Sequence, residues 1–142
     1  MPEPSIKGLR SCETRLEVSG ELQWRQVHPN EVDDGQVTPA AFRGTSKDRD
    51  AISCCRSAKR TAAQAYDDYT GGGKLSQGTF AVTIAEVTAA SCQMIDDADC
   101  EDVTTVGHSV IRMHHFTTKD ERREARVMLA AYANKRGVQH PR

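Results

Sequence analysis

The chain has 142 residues, and its 19 Lys and Arg against 20 Asp and Glu give a formal net charge of −1. This length is enough for one hydrophobic core, and the charge balance excludes a general electrostatic attraction to nucleic acid or to an anionic membrane. No apolar run reaches the roughly 18 residues of a membrane-spanning helix, and the N-terminus lacks the apolar centre of a signal peptide. These features predict a soluble, cytoplasmic protein.

The N-terminal segment contains two prolines and two glycines but few bulky apolar groups. Such a segment buries too little surface to offset the entropy cost of ordering. We therefore expect residues 1–20 to be a flexible N-terminal arm and residues 21–142 to be a single α+β domain.

The five cysteines include no CxxC pair. An odd number without that spacing is typical neither of a disulfide framework nor of a zinc site. The sequence therefore predicts free thiols in a reducing compartment. The cysteines are Cys12, Cys54, Cys55, Cys92 and Cys100.

The segment Glu21–Pro29 (ELQWRQVHP) contains the only Trp of the chain and is predicted to be a strand. Side chains alternate between the faces of a strand, which places Trp24 and Arg25 on opposite faces. Pro29 has no N–H to donate, so the strand should end there. We expect Trp24 to be buried and Arg25 to lie at the mouth of a cavity near His28. The alternative is a core Trp, a solvated Arg and a turn-forming His.

Turn-forming residues concentrate between residues 30 and 50, which favours a long loop. Within this loop, Phe42 is predicted to pack onto the core, and Arg43 follows it. A connection of this length is typical of a functional or loosely ordered segment. Residues 51–56 (AISCCR) are predicted to form the next strand, which carries Ser53.

A helix and a long strand are predicted in the middle of the chain. Ser57–Tyr69 begins with a hydroxyl that can cap the first turn, and alanines and tyrosines follow at helical spacing. Three consecutive glycines end this helix. In Thr79–Val87 (TFAVTIAEV), large apolar residues alternate with small ones, which favours a central strand. Glu86 would lie near its end.

Residues 91–105 hold five acidic side chains without the spacing of an EF-hand, and we expect a solvated acidic loop. The run 107–116 (GHSVIRMHHF) is predicted to be a strand, with His108 and His114 on one face. At ~3.3 Å per residue these two side chains would be about 20 Å apart, too far to share one ion without a fold-back. No metal is therefore predicted.

The last predicted helix begins with a capping box formed by Thr118 and Glu121, continues with an apolar stripe and ends at Gly137. The sequence as a whole predicts the α+β class. We expect a sheet of four or five mixed strands, covered by the two helices Ser57–Tyr69 and Thr118–Arg136.

Several stretches resemble a group of short bacterial proteins to which no activity is attached. They are WRQVHP at 24–29, DG at 34–35, TPAAFR at 38–43, Ser53, and GHSVI at 107–111. The resemblance is spread over residues 21–115 and implies a bacterial or phage cytoplasmic setting. It implies no activity.

The absence of a strong catalytic motif and the long loop favour an interaction or accessory module with a protein partner and no cofactor. Phe42, Arg43 and Trp24 are the predicted binding residues, because Arg and aromatic side chains dominate such contacts. A membrane is not expected as a partner, nucleic acid is disfavoured, and the oligomeric state stays open.

The alternative is an enzyme that processes a nucleotide. The order Arg25, Ser53, Glu86 is similar to the Arg, Ser, Glu arrangement of one branch of the ADP-ribosyltransferases. That resemblance implies NAD as the substrate, with the Arg on a phosphate, the Ser supporting the site and the Glu stabilising an oxocarbenium-like ribose. The acidic or Gln residue that this family has two positions before the Glu is replaced by Ile84.

A third hypothesis is a histidine-based nuclease or phosphotransfer site. His28 and His108 would then act as general base and general acid near neutral pH. The catalytic candidates from the sequence are Arg25, His28, Ser53, Glu86 and His108.

Overall fold

A computed structural model describes residues 9–44 and 51–142 of the chain. The described residues form an α+β fold, as predicted, with a seven-stranded sheet, a separate two-stranded ribbon and three α-helices. The strands are β1 (Thr14–Arg15), β2 (Leu22–Val27), β3 (Val32–Asp33), β4 (Gln36–Val37), β5 (Ile52–Arg56), β6 (Gly78–Thr83), β7 (Gln93–Asp96), β8 (His108–Arg112) and β9 (His140–Pro141). The helices are α1 (Ala62–Gly71), α2 (Ile84–Ala89) and α3 (Lys119–Arg136), with 3₁₀ helices at Pro29–Glu31 and Pro39–Phe42.

The large sheet has the strand order β1-β7-β8-β5-β2-β6-β9, and every pair in it is antiparallel. The predicted mixed sheet of four or five strands is wrong in both respects. The edge strands β1 and β9 are only two residues long. Such short pieces carry no periodic pattern, so the sequence could not indicate them.

Each face of the sheet has its own apolar cluster. The main core lies on the face covered by α2 and α3. The opposite face carries α1, which contacts β2 and β6. The fully buried members of the main core include Val27, Phe42, Val82, Ile111 and Leu129. The buried members of the cluster under α1 are Trp24, Cys55, Ala65 and Ala81.

The helix α3 confirms the last predicted helix. The Thr118 hydroxyl accepts a hydrogen bond from the backbone N–H of Glu121, and the Glu121 carboxylate accepts from the backbone N–H of Thr118. Gly137, with φ of +85°, follows its last residue. Among the described residues, no helix combines the length and the apolar character that crossing a bilayer would require.

The helix α1 begins later than predicted. Thr61, not Ser57, caps its first turn, because the Thr61 hydroxyl accepts from the backbone N–H of Gln64. The Ser57 hydroxyl instead accepts from the backbone N–H of Leu22. Residues 57–60 form the connection from β5.

The predicted strand Thr79–Val87 is wrong in its second half. The chain leaves β6 after Thr83, whose hydroxyl accepts from the backbone N–H of Glu86 while the Glu86 carboxylate accepts from the backbone N–H of Thr83. This capping box begins α2. Glu86 therefore lies on a helix and not on a strand.

Two segments that the sequence predicts to lack regular structure pair with the sheet. β7 lies within the predicted acidic loop and pairs with β8, while β1 lies within the predicted N-terminal arm and pairs with β7. Residues 1–8 and 45–50 lie outside the described part, so the predictions of an arm and a loop stay predictions there.

The prediction of five free thiols is wrong for one pair. Cys12 and Cys100 form a disulfide across a separation of 88 residues, with their Cα atoms 5.0 Å apart. Cys54, Cys55 and Cys92 are free and buried, as predicted for free thiols. Burial raises the pKa of Cys54 to about 12 and that of Cys55 to about 11.

Candidate functional site

A cavity of about 700 Å³ lies on the same face of the sheet as α1, over β5 and β8. Ser53 and Cys55 of β5 point to this face, and their partners Val110 and His108 of β8 do the same. The other walls come from the N-terminal segment and from residues 97–105. We call this space the larger cavity. Its polar lining side chains include Arg10, Glu13, Asp97, Asp102, His108 and Arg112.

The best-defined polar contact in the larger cavity joins Asp97 and His108. The Nδ1 atom of His108 lies 2.6 Å from a carboxylate oxygen of Asp97, which is 5 % exposed. Asp96 pairs with Ser109 in the β7–β8 ladder, so the next residue, Asp97, comes opposite His108. A carboxylate accepts, so Nδ1 carries the hydrogen in this bond. In a neutral ring, Nε2 is then left as a proton acceptor.

Ser53 lies on the strand next to His108. It pairs with Val110, whereas His108 pairs with Cys55, so Ser53 and His108 are diagonal neighbours on one face. Diagonal neighbours in an antiparallel pair are about 7–8 Å apart. Both side chains line the larger cavity.

Arg112 and His114 extend the row that His108 begins. The alternation along β8 puts His108, Val110 and Arg112 on the cavity face, and His114, predicted to share the face of His108, lines the same cavity beyond the strand. Arg112 is only 3 % exposed. A guanidinium has five N–H donors in a planar fork that matches carboxylate and phosphate oxygens.

The outer wall of the larger cavity comes from the N-terminal segment, which is attached by several bonds. The disulfide joins Cys12 to Cys100, and an Arg10 guanidinium N–H donates to Asp102 at 2.9 Å. This hydrogen bond lowers the pKa of Asp102. Arg10 and Glu13 therefore reach the cavity because the segment is held against residues 97–103.

A second cavity, of about 280 Å³, adjoins the first, and we call it the smaller cavity. Trp24 and Tyr69 contribute aromatic rings to its lining. The Trp24 indole N–H donates to the carbonyl of Arg60 at 2.8 Å, which fixes the ring. The amine of Lys74 lies 5.1 Å from the centroid of the Tyr69 ring. Both cavities share three lining residues: Ser53, Thr105 and His108.

The predicted strand with a buried Trp24 is confirmed, and Arg25 lies at the smaller cavity. The Arg25 guanidinium donates to two backbone carbonyls, Nε to Ala41 at 2.8 Å and Nη1 to Ser53 at 2.9 Å. The structure thus brings Arg25, Ser53 and His108 together. The two hydrogen bonds to backbone carbonyls hold the Arg25 side chain in place. Its catalytic role stays a prediction.

His28 and Glu86 line neither of these two cavities. The His28 ring caps a 3₁₀ helix, where Nδ1 accepts from the backbone N–H of Asn30 at 3.0 Å. The Glu86 carboxylate accepts two hydrogen bonds from Arg136 at 2.7 and 3.0 Å, which connects α2 to the end of α3. Burial raises the pKa of Glu86, but the hydrogen bonds from Arg136 and Thr83 outweigh it, and the net shift is downward.

Phe42 packs on the core, as the loop pattern predicts, and its ring has 0 % exposure. A ring without exposed surface cannot also contact a partner while the Pro39–Phe42 helix stays in place. The binding role of Phe42 stays a prediction that requires this helix to move, whereas Arg43 is exposed.

Asp97, Arg112 and His114 line the larger cavity but were not among the sequence candidates. Arg112 and His114 follow His108 at even spacing, a signal that the sequence does contain. Asp97 could be found only by knowing the register of β7 on β8. No protein-family model, curated protein or solved structure matches this chain, so the geometry above is the basis for any assignment of function.

Proposed function

We propose that the chain is a hydrolase for a small phosphoester, bound in the larger cavity. His108 is the general base, Asp97 is the positioning residue that orients it, and Arg112 binds the phosphoryl oxygens. The observation that carries the proposal is the 2.6 Å contact between a buried carboxylate and the Nδ1 atom of a histidine that lines a cavity. The cavity volume of about 700 Å³ is within the range of small-molecule sites.

The roles follow from the chemistry of the groups. The Nε2 atom of His108 removes a proton from a water molecule as the water oxygen bonds to phosphorus. The bond from phosphorus to the leaving oxygen breaks, and that oxygen receives a proton through solvent, which gives an alcohol and the phosphate product. Asp97 stabilises the imidazolium that forms.

Arg112 is the reason for choosing a phosphoester over an uncharged substrate. Its planar fork matches phosphoryl oxygens, and in a largely buried position its interaction with an anion is weakly screened by solvent. Each of the three acidic side chains that line the larger cavity contacts a basic side chain, Asp97 that of His108, and Glu13 and Asp102 that of Arg10.

The test is turnover of p-nitrophenyl phosphate and bis(p-nitrophenyl) phosphate, followed by release of p-nitrophenolate. His108→Ala should lower kcat/KM by about 100-fold or more, the usual contribution of a general base. Asp97→Asn should lower kcat by about 10-fold or more because the tautomer is no longer fixed. The matched control is His115→Ala, an exposed histidine outside both cavities, which should behave as the wild type. Wild-type protein without turnover of either ester, or an unaffected His108→Ala variant, would overturn the proposal.

A protein partner and a bacterial, cytoplasmic setting remain proposals from the sequence. The exposed Arg43 and the exposed apolar side chains of Val127 and Met128 on α3 support a contact surface. The Cys12–Cys100 disulfide is more typical of an oxidising compartment. In the ADP-ribosyltransferase alternative, Arg25 and Ser53 would act at the smaller cavity, which both of them line. Glu86 would have to leave its ion pair with Arg136 to join them. Calorimetric titration with NAD tests that alternative.

A further inference from the structure

The two cavities meet at the proposed general base. His108, Ser53 and Thr105 line both of them, so a single molecule that passes these residues reaches both spaces. A ligand with two chemically different parts would then place the bond between its parts beside the His108 imidazole.

The smaller cavity differs from the larger one in chemistry. The larger one is lined by the basic side chains of Arg10, Arg112, His108 and His114, and by the carboxylates of Glu13, Asp97 and Asp102. The smaller one has two aromatic rings, Trp24 and Tyr69, in its lining, beside Cys55, Ala65 and the charged side chains of Arg25, Asp68 and Lys74. A flat ring system is therefore the moiety that suits the smaller space, because aromatic side chains offer it stacking surfaces.

The dimensions agree with this division. A volume of about 280 Å³ is at the lower end of ligand sites and fits one compact ring system. The Trp24 indole is held by its bond to the Arg60 carbonyl, and Tyr69 lies on α1 close to Lys74. The site is thus largely preformed, which lowers the entropy cost of binding a rigid ring.

We infer that the substrate is a nucleoside phosphate, with its base in the smaller cavity and its phosphate in the larger one. This inference rests on the proposed function and adds the substrate class. His108 then lies beside the ester bond between the sugar and the phosphate. Hydrolysis of that bond by water yields a nucleoside and inorganic phosphate.

The chain contains its own reporter for this arrangement, since its single Trp lines the smaller cavity. Titration with AMP or CMP should change Trp24 fluorescence, after correction for nucleotide absorbance, whereas inorganic phosphate should not. The nucleotides should also bind at least 10-fold more tightly than inorganic phosphate or than adenosine and cytidine, because only they reach both cavities.

Substitutions at Tyr69 test the binding of the base separately from the binding of the phosphate. Tyr69→Ala should weaken AMP binding about 5-fold or more, the loss expected for one stacking contact, and leave the Kd of phosphate unchanged. Tyr69→Phe keeps the ring and should bind AMP as the wild type does, which distinguishes lost stacking from misfolding. The matched control is Tyr66→Ala, on the same helix but outside both cavities.

The outcomes distinguish this inference from the proposed function. If the nitrophenyl esters are cleaved by His108 but nucleotides bind no more tightly than phosphate, the nucleotide inference is overturned and the hydrolase proposal stands. If AMP leaves Trp24 fluorescence unchanged in the wild type and Tyr69→Ala leaves AMP affinity intact, the base does not lie in the smaller cavity and the inference is also overturned. If the wild type cleaves neither nitrophenyl ester, the hydrolase proposal and the nucleotide inference are both overturned.

Discussion

The disulfide allows the sharpest prediction about stability. The bond between Cys12 and Cys100 closes a loop of 88 residues, which removes conformational entropy from the unfolded chain. The chain-entropy relation gives about 4.6 kcal/mol at 25 °C for this loop length. This is an upper value, because residual structure in the unfolded state lowers the gain. With an unfolding entropy of about 0.3 kcal/mol/K for a chain of this size, the corresponding fall in Tm is about 15 °C.

The assay is thermal unfolding followed by circular dichroism, with and without a non-thiol reductant. The control is the double variant Cys12→Ser/Cys100→Ser, which should unfold at the Tm of the reduced wild type and should not respond to the reductant. Mass spectrometry confirms the number of thiols released. A fully reduced wild type with the Tm of the oxidised protein would refute the predicted stabilisation, and a protein that releases no thiols on reduction would refute the bond itself.

Further predictions concern a tight turn and an ion pair. Gly107→Ala should lower the free energy of unfolding by about 1–3 kcal/mol more than Gly73→Ala, measured in urea. Both glycines have positive φ, but a Cβ at Gly107 would lie 2.7 Å from the Cβ of Lys59, whereas a Cβ at Gly73 would have no described atom within 4 Å beyond its chain neighbours. Equal losses would contradict this account. Hydrogen bonds from Arg56 hold the pKa of Glu21 below its usual value of 4.5. The stability that ionised Glu21 contributes is therefore present above pH 4.5. It is lost as the pH falls towards the lower pKa that Glu21 has in the folded protein. Glu21→Gln should flatten this acid limb in pH-dependent urea unfolding, and an unchanged limb would argue against the pair.

Elements whose signals are local were predictable from the sequence. The alternation in β5 and β8 placed Ser53 and His108 on strands, and the capping box of α3 gave the start of that helix. In α3 the apolar pattern and the cap agree. Around Thr83 they conflict, because the alternating apolar residues favour a strand while Thr83 and Glu86 form a cap. The capping hydrogen bonds decide the structure there.

Features that depend on distant parts of the chain were not predictable. The disulfide requires that the segment around Cys12 lie next to residue 100, which spacing alone does not indicate. The same holds for Asp97, since its contact with His108 depends on the register between β7 and β8. The sequence therefore indicated His108 and Ser53 of the candidate site, but not the carboxylate of Asp97.

Long-range proton–nitrogen correlation spectra of the His108 imidazole test the central claim most directly. At a pH where the ring is neutral, the claim predicts a hydrogen on Nδ1, bonded to Asp97, and an unprotonated Nε2. Asp97→Asn should abolish this strong preference. A wild-type ring with its hydrogen on Nε2 would contradict the claim, because the atom that must accept a proton would already hold one.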